Sequence, residues 1–208
     1  MQAGAVFVKE LVVITVRPLY LALPLLLTGC GTLSHFSLSS LSPMNWFGSS
    51  LTVSETGVGG ITAGTSMSEA ELDRALDGNY RLRGGMAMHN GKLMAFYEAL
   101  KDDQVKVTIN GEPKRHVSQV DVMDASAASV WGVKIGDEFS SLYSKAFEAC
   151  QLGQGDSARD VECVAPQSKH VSYLFTGRWS GPDGLMPPDD ILQRWKVSKI
   201  IWHAQPRS

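Results

Sequence analysis

The feature that most limits what this chain can fold into is an apolar run at positions 18–27, which leads into Thr28, Gly29 and Cys30. A run of about ten apolar residues that follows a positive charge and ends in small residues is typical of an N-terminal export signal, which is removed from the mature protein. We therefore predict that residues 1–29 take no part in the fold. Residues 30–208 are enough for one domain of ordinary size.

The N-terminus also allows other interpretations. Lys9 and Glu10 interrupt an otherwise apolar stretch, so a start codon at Val16 would leave a short signal with Arg17 as its charge; the alternative is a real, longer signal. Residues 11–29 are nearly all apolar, which also suggests a transmembrane helix. Because Arg17 and two prolines interrupt the ~20 apolar residues that a span needs, we favour the cleaved signal.

The sequence Leu27-Thr28-Gly29-Cys30 resembles the lipobox of bacterial lipoproteins. The resemblance implies that a diacylglyceryl group is attached to the Cys30 thiol, that a peptidase cuts before this residue, and that its new amino group is acylated, for example with palmitate. Gly31 and Thr32 follow where an aspartate would hold a lipoprotein in the inner membrane. The resemblance therefore implies a permanent lipid anchor in the outer membrane, with the protein facing the periplasm.

A serine-rich stretch without acidic residues, lysine or arginine follows the lipobox. We predict a tether over residues 30–50 and a single periplasmic domain over residues 51–208. Trp46 and Phe47 are more apolar than a linker needs. The stretch therefore either packs on the domain or on the membrane surface, or it moves freely.

The two remaining cysteines predict a covalent link, and the net charge excludes one class of partner. With Cys30 assigned to the lipid, Cys150 and Cys163 form an even pair in an exported chain, which predicts a disulfide. The formal net charge of −2 gives no basic field, so we predict no nucleic-acid partner.

Periodicity in the mature chain predicts more strands than helices. An apolar stripe at i, i+3 and i+4 spacing predicts a long helix over residues 137–150 with Asp137 as its N-cap, and shorter helices are predicted over 69–77 and 189–195. Alternating apolar residues predict strands over 51–55, 80–83, 104–109, 117–122, 162–165, 170–179 and 196–203. The apolar stretches 86–88 and 92–100 fit either a strand or a helix, and the turn signals beside them favour strands. Hairpin turns are predicted at Gly84-Gly85, Asn90-Gly91 and Asn110-Gly111, and a further turn at 180–184.

This succession predicts an α+β fold with an antiparallel sheet and a few helices, because no βαβ rhythm is present. Residues 57–124 and 131–204 each contain one helix followed by several strands. Val117–Val122 also lines up with Val197–Trp202. We therefore predict a duplicated helix-plus-strands unit.

No motif of an enzyme or a cofactor site is present. Gly59 and Gly64 have the spacing of a phosphate loop, but Thr65 stands where the lysine should be. The histidines form no zinc-binding spacing, and the G-x-S-x-G elbow of hydrolases is missing. The sequence predicts no cofactor, no metal and no catalytic residue.

Trp179, Asp183, Asp189, Asp190 and Trp195 are the candidates for a ligand surface, and Trp202 lies close to the two tryptophans along the chain. The carboxylates lack the spacing of a calcium loop, and a turn followed by the cap of a short helix accounts for them. The tryptophans would serve a sugar or peptide platform, but core packing is the favoured interpretation.

With the lipobox, the segments Gly132–Asp137 and Leu192–Trp202 resemble the RpoE-regulated lipoprotein family of enterobacteria, a domain family of unknown function, over residues 30–208. The resemblance implies expression under envelope stress and an outer-membrane location, and it supplies no catalytic residue. We expect a non-enzymatic binding or accessory module with an envelope protein as partner. The alternative is a hydrolase or binder that acts on cell-wall glycan or peptide, and a purely structural, stress-buffering role is a third interpretation.

Overall fold

The computed structural model describes residues 50–89 and 91–207, which belong to one compact unit. The predicted signal peptide, Cys30 and the tether up to residue 49 lie outside the described residues. The elements in chain order are β1 (Thr52–Ser54), β2 (Gly57–Val58), β3 (Ile61–Thr62), α1 (Glu69–Ala75), β4 (Arg81–His89), β5 (Lys92–Lys101), β6 (Gln104–Gly111), β7 (Val117–Val122), β8 (Ala128–Ser129), α2 (Phe139–Leu142), β9 (Cys150–Leu152), β10 (Val161–Val164), β11 (Val171–Thr176), α3 (Asp189–Leu192) and β12 (Lys196–His203).

Eight of the strands form one antiparallel sheet in the order β4-β5-β6-β7-β12-β11-β10-β9. The first four strands follow α1 and the last four follow α2, and the two groups join where β7 pairs with β12, with Val120 opposite Trp202. The predicted α+β class with an antiparallel sheet is therefore confirmed. The element order agrees with two helix-plus-strands units, and their origin by duplication stays a prediction.

A small mixed sheet, β3-β2-β1-β8, packs with the helices against one face of the large sheet. The Trp202 indole N–H donates to the Glu55 carbonyl (3.1 Å) and so connects β12 to the turn after β1. Each large side chain that is fully buried contributes about 1.5–3 kcal/mol, so this layer supplies most of the stability. The largest of these side chains are Trp202, Tyr173, Phe139, Phe175, Ile61, Leu72, Ile109, Leu192 and Ile200.

The long helix predicted over residues 137–150 is wrong. The helix α2 covers only Phe139–Leu142, and the backbone is extended at Tyr143 (φ −135°, ψ 138°). Its N-cap is Glu138 rather than Asp137, whose Oδ2 instead accepts a hydrogen bond from a backbone N–H within the preceding turn (2.8 Å).

Long-range contacts explain why the helix ends early. The Tyr143 hydroxyl donates to the Val164 carbonyl (2.7 Å), and Cys150 lies on β9 directly opposite Cys163. Neither contact is available to a continuous helix, and serines in this segment are weak helix formers. Phe147, which the periodicity placed on the buried stripe, is consequently 80% exposed.

The turn predicted at Gly84-Gly85 is also wrong, because β4 runs straight through both glycines. They lie opposite Tyr97 and Phe96 on β5. A Cβ at Gly84 would come within 2.8 Å of the Tyr97 ring, and one at Gly85 within 2.4 Å of the Phe96 ring. The glycines therefore leave room for aromatic rings that lie across the strand, and they do not break it.

The other predicted hairpins gave mixed results. Strands β4 and β5 leave only residues 90 and 91 between them, as predicted. Asn110-Gly111 lies inside β6 instead of turning the chain. The turn between β5 and β6 was not predicted. It is formed by Asp102 and Asp103, both with positive φ (52° and 57°).

The remaining predicted elements are present apart from differences at their ends, whereas the short strands β2, β3, β8 and β9 were not predicted. The helix α1 ends two residues early, α3 covers only the first part of the predicted helix, and β7 and β12 have the predicted bounds. None of the helices within the described residues has the length and apolar character of a membrane span.

Candidate functional site

Three exposed apolar side chains lie at the free end of the β4–β5 hairpin. Met86, Met88 and Leu93 are 64%, 67% and 48% exposed. Met88 is paired with Leu93 across the strands and Met86 is two residues away, so the three share one face of the hairpin. We call these three residues the hairpin tip. The tip extends past the core, so no other described element covers it.

The hairpin also has an open edge. Within residues 50–89 and 91–207, no strand pairs with the outer side of β4. The first half of β4 carries Arg81 and Arg83, which pair with Asp103 (2.8 Å) and Glu98 (2.6 Å). Charged side chains discourage strand pairing along an edge, whereas the half that contains the methionines lacks this protection.

The face of the large sheet opposite the core is open and forms a cleft of about 600 Å³, to which strands of both halves contribute. Met94 and Phe96 lie at the end near the hairpin tip. The other end is polar, with Asp121 and Lys199 in its floor. Asp121 accepts a hydrogen bond from Gln119 (2.6 Å), and burial raises the pKa of Asp121 above its ordinary value.

A cluster of four polar side chains closes the polar end. Glu162 Oε1 accepts hydrogen bonds from Ser172 (2.5 Å) and Arg207 (2.8 Å), and His203 Nε2 lies 3.3 Å away. Burial alone would raise the pKa of Glu162, but the hydrogen bonds from His203 and Ser172 and the charge of Arg207 hold it below its ordinary value. The cluster fixes the C-terminal residues to β10, β11 and β12.

These residues do not form a hydrolase triad, although serine, histidine and glutamate are in contact. The Ser172 side chain is fully buried, so no substrate reaches its hydroxyl. Ser172 and Glu162 both meet Nε2 of His203, whereas a triad needs the acid on the other ring nitrogen. The sequence alone does not reveal this cluster, because its members lie far apart in the chain.

A second cleft, of about 500 Å³, contains three of the five predicted ligand-surface residues: Trp179, Asp183 and Trp195. We call it the tryptophan cleft. Arg159 pairs with Asp183 at its rim through Nη2 (2.5 Å) and Nε (2.8 Å). Trp195 is nearly buried, and its indole N–H has no hydrogen-bond partner among the described residues.

Asp189 and Asp190, the other two predicted ligand-surface residues, do not line this cleft. Both lie in the first turn of α3, whose N-cap is Pro188. Asp189 accepts a hydrogen bond from the Ala146 N–H (2.8 Å), so it holds the loop after α2 in place. Asp190 is exposed.

The predicted disulfide between Cys150 and Cys163 is present (S–S 2.06 Å) and joins β9 to β10 at the edge of the large sheet. No group of three or more His, Cys, Asp or Glu side chains in the described part of the chain is arranged to hold a metal ion.

The fold and these surfaces define a small, mostly-β domain of the α+β class, with one open sheet face and no assembled catalytic group among the described residues. The chain belongs to the family described as "Protein of unknown function (DUF1131)", whose model matches residues 35–204.

A protein and a solved structure from Escherichia coli resemble this chain. The chain is 52% identical over 188 residues to the "Uncharacterized protein YfeY" of Escherichia coli (strain K12), a match that covers 90% of this chain and 98% of that protein. The crystal structure of the uncharacterized protein yfeY from Escherichia coli has a TM-score of 0.66 at 51% identity. That match covers 73% of this chain and 99% of the other.

Proposed function

We propose that this protein is an outer-membrane lipoprotein of the envelope stress response, and that its periplasmic domain binds another envelope protein without catalysing a reaction. The lipobox at Cys30 supports the membrane anchor. The resemblance to the RpoE-regulated lipoproteins supports expression under envelope stress.

The exposed hairpin tip is the observation that carries the binding proposal. Exposed apolar patches on a monomer mark interaction sites, and Met86, Met88 and Leu93 form such a patch beside an unpaired strand edge. An extended partner segment that adds to β4 would gain main-chain hydrogen bonds along the edge and apolar contacts with the tip. Methionine suits this role because its flexible side chain adapts to the partner surface.

The charges near the tip indicate the chemistry of the partner. Lys92 and Arg115 both pair with Glu112, and the hydrogen bond and the charge from Lys92 lower the pKa of this carboxyl, with a further contribution from Arg115. These charges therefore satisfy one another. An apolar partner segment fits this surface better than a charged one.

Crosslinking in cells under envelope stress tests the proposal. The lipidated protein should capture one dominant envelope protein, and the variant Met86→Lys/Met88→Lys should lose it at unchanged abundance, because both side chains are exposed. Val130→Lys replaces another exposed apolar residue (55% exposed) away from the hairpin and should retain the partner. Equal capture by the hairpin variant and the wild type would contradict the proposal.

The tryptophan cleft favours a second candidate, a cell-wall glycan or peptide binder. A hydrolase is less well supported, because glycoside hydrolysis uses two carboxyl groups and only Asp183 lines this cleft among the described carboxylates. That carboxylate is also held by Arg159.

A further inference from the structure

We propose that the tryptophan cleft binds an acidic sugar, that is, a sugar ring that carries a carboxylate. This inference rests on the second candidate function, glycan binding in this cleft, and not on protein binding at the hairpin tip. Three features of the cleft each select one part of such a ligand: an unpaired indole N–H, a partly exposed indole ring and an unpaired guanidinium.

The indole N–H of Trp195 is a donor that has no hydrogen-bond acceptor among the described residues. Trp195 is 3% exposed, and its Nε1 is the one buried side-chain nitrogen or oxygen without a partner in the part of the chain that the structure describes. Buried donors of this kind are rare in native proteins. Gly177, which lines the cleft, packs over the five-membered ring of this indole: a Cβ there would stand 2.2–2.4 Å from Cδ1, Nε1 and Cγ. Trp195 and Gly177 both line the cleft, so a hydrogen-bond acceptor that enters this part of the cleft lies next to the buried N–H.

The indole of Trp179 supplies a flat apolar surface. Its ring is partly exposed and lies against Gly181, where a Cβ would come within 2.0 Å of the ring. Leu185 and Ile191 extend the apolar wall. The part of the indole that Gly181 leaves uncovered suits the C–H face of a sugar ring, which stacks on it while the hydroxyl groups point outward.

The charges of the cleft indicate the carboxylate. Arg159 is already paired with Asp183, and this pair offers both donors and an acceptor to sugar hydroxyl groups. Arg178 is exposed and makes no hydrogen bond or ion pair with the other described residues. A free guanidinium has the opposite charge to a carboxylate and can donate two parallel hydrogen bonds to it.

Calorimetric titration of the full-length, lipidated protein in detergent tests the assignment. The probes are the disaccharide of N-acetylglucosamine and N-acetylmuramic acid, which carries a carboxylate, and the neutral disaccharide chitobiose. Sodium lactate supplies the carboxylate without the sugar. We expect the acidic disaccharide to bind at least tenfold more tightly than chitobiose, and lactate to bind far more weakly than either.

Matched variants locate the binding. Arg178→Gln should remove the preference for the acidic sugar, and Trp179→Leu should weaken both sugars at least tenfold. Arg194→Gln and Trp131→Leu change the same residue types outside the cleft and should leave both affinities unchanged, and thermal unfolding checks that every variant is folded. The indole N–H resonance of Trp195, identified by its loss in Trp195→Phe, should move on addition of the acidic sugar.

The two proposals fail separately. Met86→Lys/Met88→Lys should bind the acidic sugar like the wild type, even though it loses the protein partner. Equal affinity for the acidic and neutral sugars, no binding of either, or an unchanged preference in Arg178→Gln would overturn the assignment.

Discussion

Replacing Cys150 and Cys163 together with alanine should destabilise the domain by about 3 kcal/mol. The two residues are 13 apart in sequence, so the bond closes a loop of about 14 residues. In the chain-entropy model, a loop of this length restricts the unfolded chain by about 10 cal/mol/K, which is about 3 kcal/mol at room temperature. For a domain of this size, that loss lowers the melting temperature by roughly 6–12 °C.

Urea unfolding followed by circular dichroism gives the free energy directly. Adding reductant to the wild type should produce a similar loss, because it opens the same loop without changing a side chain. The reductant should have no effect on the double alanine variant, which serves as the control. A loss below about 1 kcal/mol in both experiments would refute the argument from the loop.

Three further predictions concern single residues. Asp103→Gly should stabilise the domain by roughly 0.5–1 kcal/mol in urea unfolding, because glycine adopts positive φ without strain and the exposed ion pair with Arg81 contributes little. The control variant Asp103→Ala keeps the backbone strain and should not stabilise the domain. Burial raises the pKa of Asp121, so this carboxyl favours folding at low pH and loses that contribution as the pH rises through its folded-state pKa. Asp121→Asn, which keeps an acceptor for Gln119, should therefore raise the melting temperature at pH 7 and raise it less near pH 4; an equal gain at both pH values would contradict the assignment. Cys30→Ala should leave an unprocessed precursor that takes up no labelled palmitate, and normal labelling with normal membrane retention would exclude the lipid anchor.

The sheet could be predicted from the sequence because alternation is a local signal. Val117, Val120 and Val122 face the core from β7, and β12 repeats the same pattern, so both central strands have their predicted bounds. The helix over 137–150 failed although its apolar spacing was regular. Whether this segment forms a helix depends on Cys163 and other partners that are distant in sequence, and apolar periodicity does not reveal such partners.

The candidate surfaces also differ in how far the sequence predicts them. Trp179 and Asp183 flank one turn, so their proximity followed from the sequence. Trp195 lines the same cleft because the fold brings it there. The cluster around Glu162 depends on the register of three strands, which the sequence does not specify. The hairpin tip was missed for a related reason: Met86 and Met88 were placed in a strand, but only the length of β4 shows that they extend past the core.

The central claim is that the β4–β5 hairpin binds a protein partner, and site-specific photo-crosslinking in cells tests it most directly. A photoreactive amino acid at Met88 should capture one envelope protein under stress, while the same probe at Phe147, which is also exposed and apolar, should capture none. Capture at both positions or at neither would contradict the claim.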